Sequence, residues 1–363
     1  MPNKKSNHYV PRTHFRPFSK EREGRSISLL NLKSMNFVEN ASVSGQCAKD
    51  YFYGKDGNLE DWFARIERAY GLLIGKLNGG AKLDQEDLSF LRDYALLQHL
   101  RTEQSLKQDK LAQTRMLDMV FHDAEHQKPD FDMTFPGLAA SSVAMFQEAV
   151  KFVDDLSVCL VENDTKIEFI TSDDPSVRLN RFQQKRRKFD GYDAGIMAAG
   201  EMLILPVSPR YAIIAYDKNV YRVEGLKGLQ ITTRIYSDVR SINELQYLNA
   251  SRNLYFSGWE QRSEMAAEAT RLASFRRKDR FAINYAVFDH KTENSEVFRA
   301  VKDMSEVNGS ERAIIATHIW ALRPTQWPSF LKYRSKPKYL VVGAAGDWMR
   351  RDDKEFDETP FYF

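Results

Sequence analysis

The chain's 363 residues are enough for one large core or two modest ones, with 42% apolar and 28% charged residues, the balance of an ordinary soluble globular protein. Its 53 basic and 50 acidic residues leave a net charge of +3, which predicts no polyanion partner by itself. No run approaches the roughly 20 apolar residues of a membrane-spanning helix.

The longest apolar stretch, "GIMAAGEMLILPVSP", is broken by Gly200, Glu201 and Pro206, so no membrane partner is expected. Lys4 and Lys5 precede no apolar run, so no secretory leader is expected either. Cys47 and Cys159 are too few for a disulfide framework, and two reduced thiols fit a cytoplasmic protein.

In chain order, "NHYVPRTHFRPFS" (Asn7 to Ser19) comes first, dense in His, Arg, Pro and aromatic residues. Its prolines favour extended backbone, and Tyr9, Val10, Phe15 and Phe18 are expected to be buried. "ISLLNL" (Ile27 to Leu32) reads as a strand. "NLEDWFARIERAYGLLIGKLNGG" reads as a helix with Asn58 as its cap, Asp61 in its first turn and Gly79-Gly80 at its end. Trp62, Phe63, Ile66, Tyr70, Leu73, Ile74 and Leu77 give that helix one apolar face. Further helices are expected from about Asp84, from about Leu106 to His126, and from about Leu138 to Leu156, which together make a helical bundle.

The pattern then changes. "SVCLVEN", "KIEFITS", "EMLILPVS" and "YAIIAYD" are short aliphatic runs between Asp, Pro, Gly and Asn, the signature of strands. A helix over about Ser241 to Asn253, the strand "NLYFSG", a polar helix over about Glu260 to Ser274 and the strands "RFAINYAVF" and "KYLVVGAAGDW" complete the chain. Order and composition predict an α+β fold, a helical bundle packed against a mostly antiparallel sheet. Residues 1–257 form one domain, with the helical block at about 58–157 and strands at about 157–223, and residues 258–363 form a C-terminal extension.

Candidate chemistry sits at awkward places for polar groups. Glu67 lies between Phe63, Tyr70 and Ile74; Gln98 and Arg101 share a face with Tyr94 beside the stripe of Leu91 and Ala95. Burying such a charge without a partner is costly, so a shared polar cavity competes with the reading of an exposed flank. In "FITSDDPSV", Asp173 stands at a strand end, where catalysis and an Asx turn are both open. The basic runs Lys185, Arg186, Arg187, Lys188 and Arg276, Arg277, Lys278 suit phosphate contacts or a solvated face.

Several elements, in a fixed order, resemble the family Protein of unknown function (DUF4238). They are "HYVPRTHFRPF", "CAKDYFYGKDG" leading into "WFARIER", then "QHLRT", "TSDDP", "LPVSP" and "INELQYLNAS". The resemblance covers about Asn7 to Ser257 and implies a shared site at His8, Glu67, Gln98, Arg101 and Asp173, with Asn243 beside it. His8 is expected as base or metal ligand, the two carboxylates as holders of a divalent metal ion or as proton-transfer groups, and Arg101 as a phosphate clamp. That inventory implies a hydrolase of nucleic acid or a nucleotide phosphoester, in a defence or toxin-type setting. The competing reading is a non-catalytic module whose His, Glu, Arg and Asp residues form a buried structural network. No paired-His zinc motif, phosphate loop or nucleophile elbow is present in the sequence.

Overall fold

The computed structural model describes residues 6–120, 132–184, 192–277, 280–292, 296–302, 306, 312–342 and 347–350. The elements begin with β1 (Ser6–His8), the single-turn α1 (Arg12–Phe15), β2 (Ser26–Asn31), β3 (Asn36–Ser42) and β4 (Ala48–Asp50). Four helices follow: α2 (Asn58–Asn78), α3 (Gln85–Leu100), α4 (Glu103–Val120) and α5 (Phe135–Ala149). Next come β5 (Ser157–Asn163), β6 (Thr171–Ser172), β7 (Val177–Leu179), α6 (Arg181–Gln184), β8 (Met202–Pro206), β9 (Tyr211–Tyr216), β10 (Tyr221–Val223) and β11 (Gln230–Thr233). Then α7 (Tyr236–Asn249), β12 (Asn253–Phe256) and α8 (Arg262–Leu272) lead to β13 (Phe281–Lys291), β14 (Glu296–Val301), β15 (Ala313–Ile319), β16 (Leu331–Tyr333), β17 (Leu340–Val342) and β18 (Asp347–Met349).

The fold is α+β. Its central sheet has the order β11-β5-β9-β8-β7 and is antiparallel except for the parallel β11–β5 pair. Alternate residues of a strand point to opposite faces, and here both faces are covered. Val158, Leu160, Leu203, Leu205, Ile213 and Ala215 pack on Tyr70, Leu73, Leu88, Leu91 and Ala95 of α2 and α3. Cys159, Val161, Ile204, Ala212 and Ile214 pack on Val239, Ile242 and Leu245 of α7. Double coverage is why β5, β8 and β9 read as unbroken apolar runs. Each fully buried aliphatic side chain here contributes roughly 1.5–3 kcal/mol.

A second sheet, β3-β2-β12-β6, is antiparallel throughout and carries the opening segment on one side. Tyr9, Val10, Phe15 and Phe18 are buried there against Phe52, Tyr53, Phe63, Leu97 and Tyr255. Pro11, at φ −70° and ψ 151°, is the extended residue from which α1 starts. The extension joins the same body. Met265, Ala269 and Leu272 of α8 share a core with Tyr247, Leu254 and Phe256, and β16 pairs with β10. Among the described residues, no helix is long and apolar enough to cross a membrane. Both cysteines are free and buried, and burial pushes the Cys159 thiol up to about 12.

Several features differ from the sequence expectations. The run "KIEFITS" contributes only the two-residue β6, and α5 ends at Ala149 rather than near Leu156. Gly57, at φ +79°, is the residue before α2, and Asn58 is instead the first helical residue, bonded back to Asp56. A left-handed entry of that kind needs glycine. The helix α7 starts at Tyr236 rather than near Ser241, because Asp238 in its first turn is held by Thr233 Oγ1 at 2.8 Å and by the Ser329 amide at 2.6 Å. The sheet β14-β13-β15 adds two strands, "EVFRAV" and "AIIATHI", to the expected β13.

Candidate functional site

The end of α3 and the strand ends facing it organise the polar residues. Asp84 caps this helix by accepting from the Asp87 amide at 2.9 Å, and Asp87 accepts in return from the Asp84 amide. That capping box fixes where the helix begins and so which way its last turn faces. Gln98 and Arg101, three residues apart, turn toward the opening segment. His99 and Thr102 turn toward β6 and β7.

On the first side, Glu67, Gln98 and Arg101 form one network. Arg101 is 1% exposed; its Nη2 lies 2.9 Å from Glu67 Oε1 and its Nε donates to Gln98 Oε1 at 3.0 Å. Gln98 Nε2 donates to the Tyr9 carbonyl at 2.9 Å, and the guanidinium lies 4.7 Å from the centroid of Phe63. The contact of the opening segment with this network is therefore the backbone of Tyr9. The His8 ring is elsewhere, with Nε2 3.2 Å from the Ser44 carbonyl.

The histidine inside this region is His14. It is fully buried, with Nδ1 2.9 Å from Tyr70 Oη and Nε2 2.7 Å from Thr171 Oγ1. Burial and the nearby Arg101 charge hold it down at about 3, so it is neutral at physiological pH. Tyr70 in turn stacks on Tyr94 at 3.9 Å. No helical periodicity marks His14, because only Arg12–Phe15 is α-helical and Pro11 before it is extended.

Asp173 does a different job. Its Oδ1 accepts from the Ser251 amide at 2.8 Å, and its Oδ2 accepts from the Arg252 and Asn253 amides at 2.8 and 3.2 Å. It clamps the turn between α7 and β12. Burial, then the charge of Asp174, pushes its carboxyl up to about 6, and the three amides oppose that rise. Asn243 is likewise a backbone clamp, donating to the Glu168 carbonyl and accepting from the Ile170 amide. Thus Glu67, Gln98 and Arg101 meet, whereas His8 and Asp173 are bonded elsewhere.

On the other side of α3 lies a narrow cleft of ≈ 70 Å³, smaller than the roughly 300–1,000 Å³ of drug-sized ligand sites. His99, Asp174, Arg178 and Asp193 line it from within residues 6–258, and Arg277, Arg280 and Trp320 line it from the extension. His99 Nδ1 is 3.3 Å from the Ser176 carbonyl. A carbonyl only accepts, so Nδ1 carries the proton and Nε2 is the basic nitrogen. Burial lowers the His99 pKa below its usual 6.5.

Arg178 is held by Glu201 Oε1 at 2.6 Å and Asp193 Oδ2 at 3.6 Å. Burial raises the carboxyl groups of Glu201 and Asp193, and Arg178 opposes both shifts. Arg277 lies over the Trp320 ring at 3.9 Å, and Tyr192 stacks on that ring at 4.3 Å. Arg276 points inward, donating to the Ala250 carbonyl at 2.7 Å. Lys185, Arg186, Arg187, Lys188 and Lys278 lie outside the described residues. Among the described residues no group of three or more His, Cys, Asp or Glu side chains is placed to hold a metal ion. The two cleft carboxylates, Asp174 and Asp193, each face an arginine instead.

The family model Protein of unknown function (DUF4238) matches residues 6–258. No curated protein and no solved structure matches the chain. The chain belongs to this family, and the matched part contains His99, Asp174, Arg178 and Asp193 but not Arg277, Arg280 or Trp320.

Proposed function

With that family membership as the premise, we propose that the chain is a hydrolase of nucleotide or nucleic-acid phosphoesters working in the cleft beside α3. The observation that carries the reading is His99, a neutral imidazole whose tautomer leaves Nε2 basic, in one cleft with Arg178 and Arg277. In this reading His99 takes the proton from an attacking water, and the two guanidiniums bind the phosphoryl oxygens. Carboxylates fix Arg178, so little of its side-chain freedom is left to lose on binding. The described donors offer no metal cluster, and no step is assigned to a metal.

The test is incubation of the purified chain with labelled RNA, DNA and nucleotides, with and without divalent metal. Turnover is expected, and His99→Ala is expected to lower it by about 10²–10⁴-fold, the range of general-base catalysis. Because burial lowers the His99 pKa, the neutral base persists below pH 6.5, and the acid limb of the rate profile is expected below that value. Turnover unaffected by His99→Ala would overturn the assignment.

A second reading rests on the Glu67–Arg101–Gln98 network and the Asp173 clamp, which tie the opening segment and the turn at 251–253 into the body. These groups suit a non-catalytic binding module. Ligand binding without turnover of any substrate in the panel would favour it.

A further inference from the structure

Arg280 has a set of partners that its place outside the family-matched residues makes informative. Its Nη1 donates to Asp174 Oδ2 at 2.6 Å and to Asn249 Oδ1 at 3.3 Å, and its Nη2 donates to the Asn249 carbonyl. These three acceptors are held in place by other groups. Asp174 Oδ1 accepts from Thr102 Oγ1 at 3.1 Å. Asn249 Nδ2 is committed to the Asp174 carbonyl at 2.6 Å, which turns Oδ1 the other way. Asp173 clamps the turn that follows Asn249. The result is an acceptor nook of fixed shape on the wall of the cleft, with a carboxylate only 6% exposed that needs a cation or a strong donor.

We infer that the Asp174–Asn249 nook is a binding subsite for a planar guanidine-type group, and that Arg280 fills it from within the same chain. Every acceptor lies within residues 6–258, and the guanidinium that fills them comes from the extension. Two adjacent N–H groups in one plane match such a nook, whether they belong to an arginine side chain or to the N1–N2 edge of a guanine base. Arg280 is thus an internal occupant that an external guanidine group must displace. This inference shares the cleft with the proposed hydrolysis but none of its chemistry, so a chain without turnover would leave it standing.

The experiment compares melting temperatures of the full chain and of Arg280→Ala with millimolar methylguanidinium chloride, against sodium chloride of equal ionic strength. At roughly ten times Kd the variant is expected to gain about 2 °C. The unsubstituted chain and the Arg280→Ala/Asp174→Asn double variant are expected to gain less than half of that. Arginine and guanosine monophosphate in place of methylguanidinium distinguish the two sources: the compound acting at the lower concentration identifies the occupant. If Arg280→Ala does not fold, Arg280→Gln keeps one donor for Asp174 and carries the same expectation. No gain in the single variant, or equal gains in all three proteins, would overturn the inference.

Discussion

Removing Glu67 separates a structural network from a catalytic one. Arg101 is 1% exposed and Glu67 is 23% exposed, so the cation depends on its partner more than the anion does. In Glu67→Ala the guanidinium retains Gln98 Oε1 and the face of Phe63. Leaving one member of a buried pair uncompensated costs about 3–5 kcal/mol, and the partial exposure of Glu67 places this pair near the lower figure. With about 2 cal/mol/K of unfolding entropy per residue over the whole chain, the melting temperature is expected to fall by about 4 °C. Glu67→Leu combined with Arg101→Met removes both charges at similar volume and is expected to recover at least half of that loss, since apolar replacement of a buried pair is often neutral or better. Calorimetry on Glu67→Leu, on Arg101→Met and on their combination closes the cycle, with Glu67→Ala measured beside them. A Glu67→Ala protein melting within about 1 °C of the parent, or a double variant that loses the sum of the single losses, would refute the reasoning.

Two other substitutions have expected outcomes. His14 titrates near 3 when folded against 6.5 when free, so its contribution is complete above pH 6.5 and is lost as the pH falls toward 3. Relative to His14→Gln, the parent chain is expected to lose about 2 kcal/mol between pH 7 and pH 5 in urea melts, and parallel pH dependences would contradict this. Asp173→Ala leaves three amides without their acceptor and is expected to destabilise by about 3 kcal/mol or more. Amide exchange at 251–253 is expected to accelerate, and unchanged protection there would argue against the clamp.

The sequence made the architecture legible wherever one physical signal dominated. Aliphatic runs marked β5, β8 and β9 because two layers cover them. Periodicity marked α2 because only one of its faces is buried. The strand β3 was missed because "NFVENAS" lies largely exposed at a sheet edge and has no apolar side to show. Within the candidate site, Glu67, Gln98 and Arg101 were legible as polar groups beside apolar stripes. His14 was not, because its burial depends on a single turn that Pro11 starts. The choice between His8 and His14 is made by backbone direction, which residue type does not encode. His99 stood inside the quoted "QHLRT" element, yet its neighbours Asp193, Arg280 and Trp320 come from distant segments joined by the Tyr192–Trp320 bridge. No local pattern reports a contact of that kind.

The last turn of α3 is shared property. Gln98 and Arg101 serve the opening segment while His99 and Thr102 serve the cleft wall, all within five consecutive positions. Because each helical residue turns the chain by about 100°, adding or deleting one residue there would rotate both sets away from their partners together. Substitution can be absorbed on one side at a time; a change of length cannot. This stretch should therefore be rigid in spacing even where it is permissive in composition. The two halves of the molecule that it joins would have to change in concert or not at all.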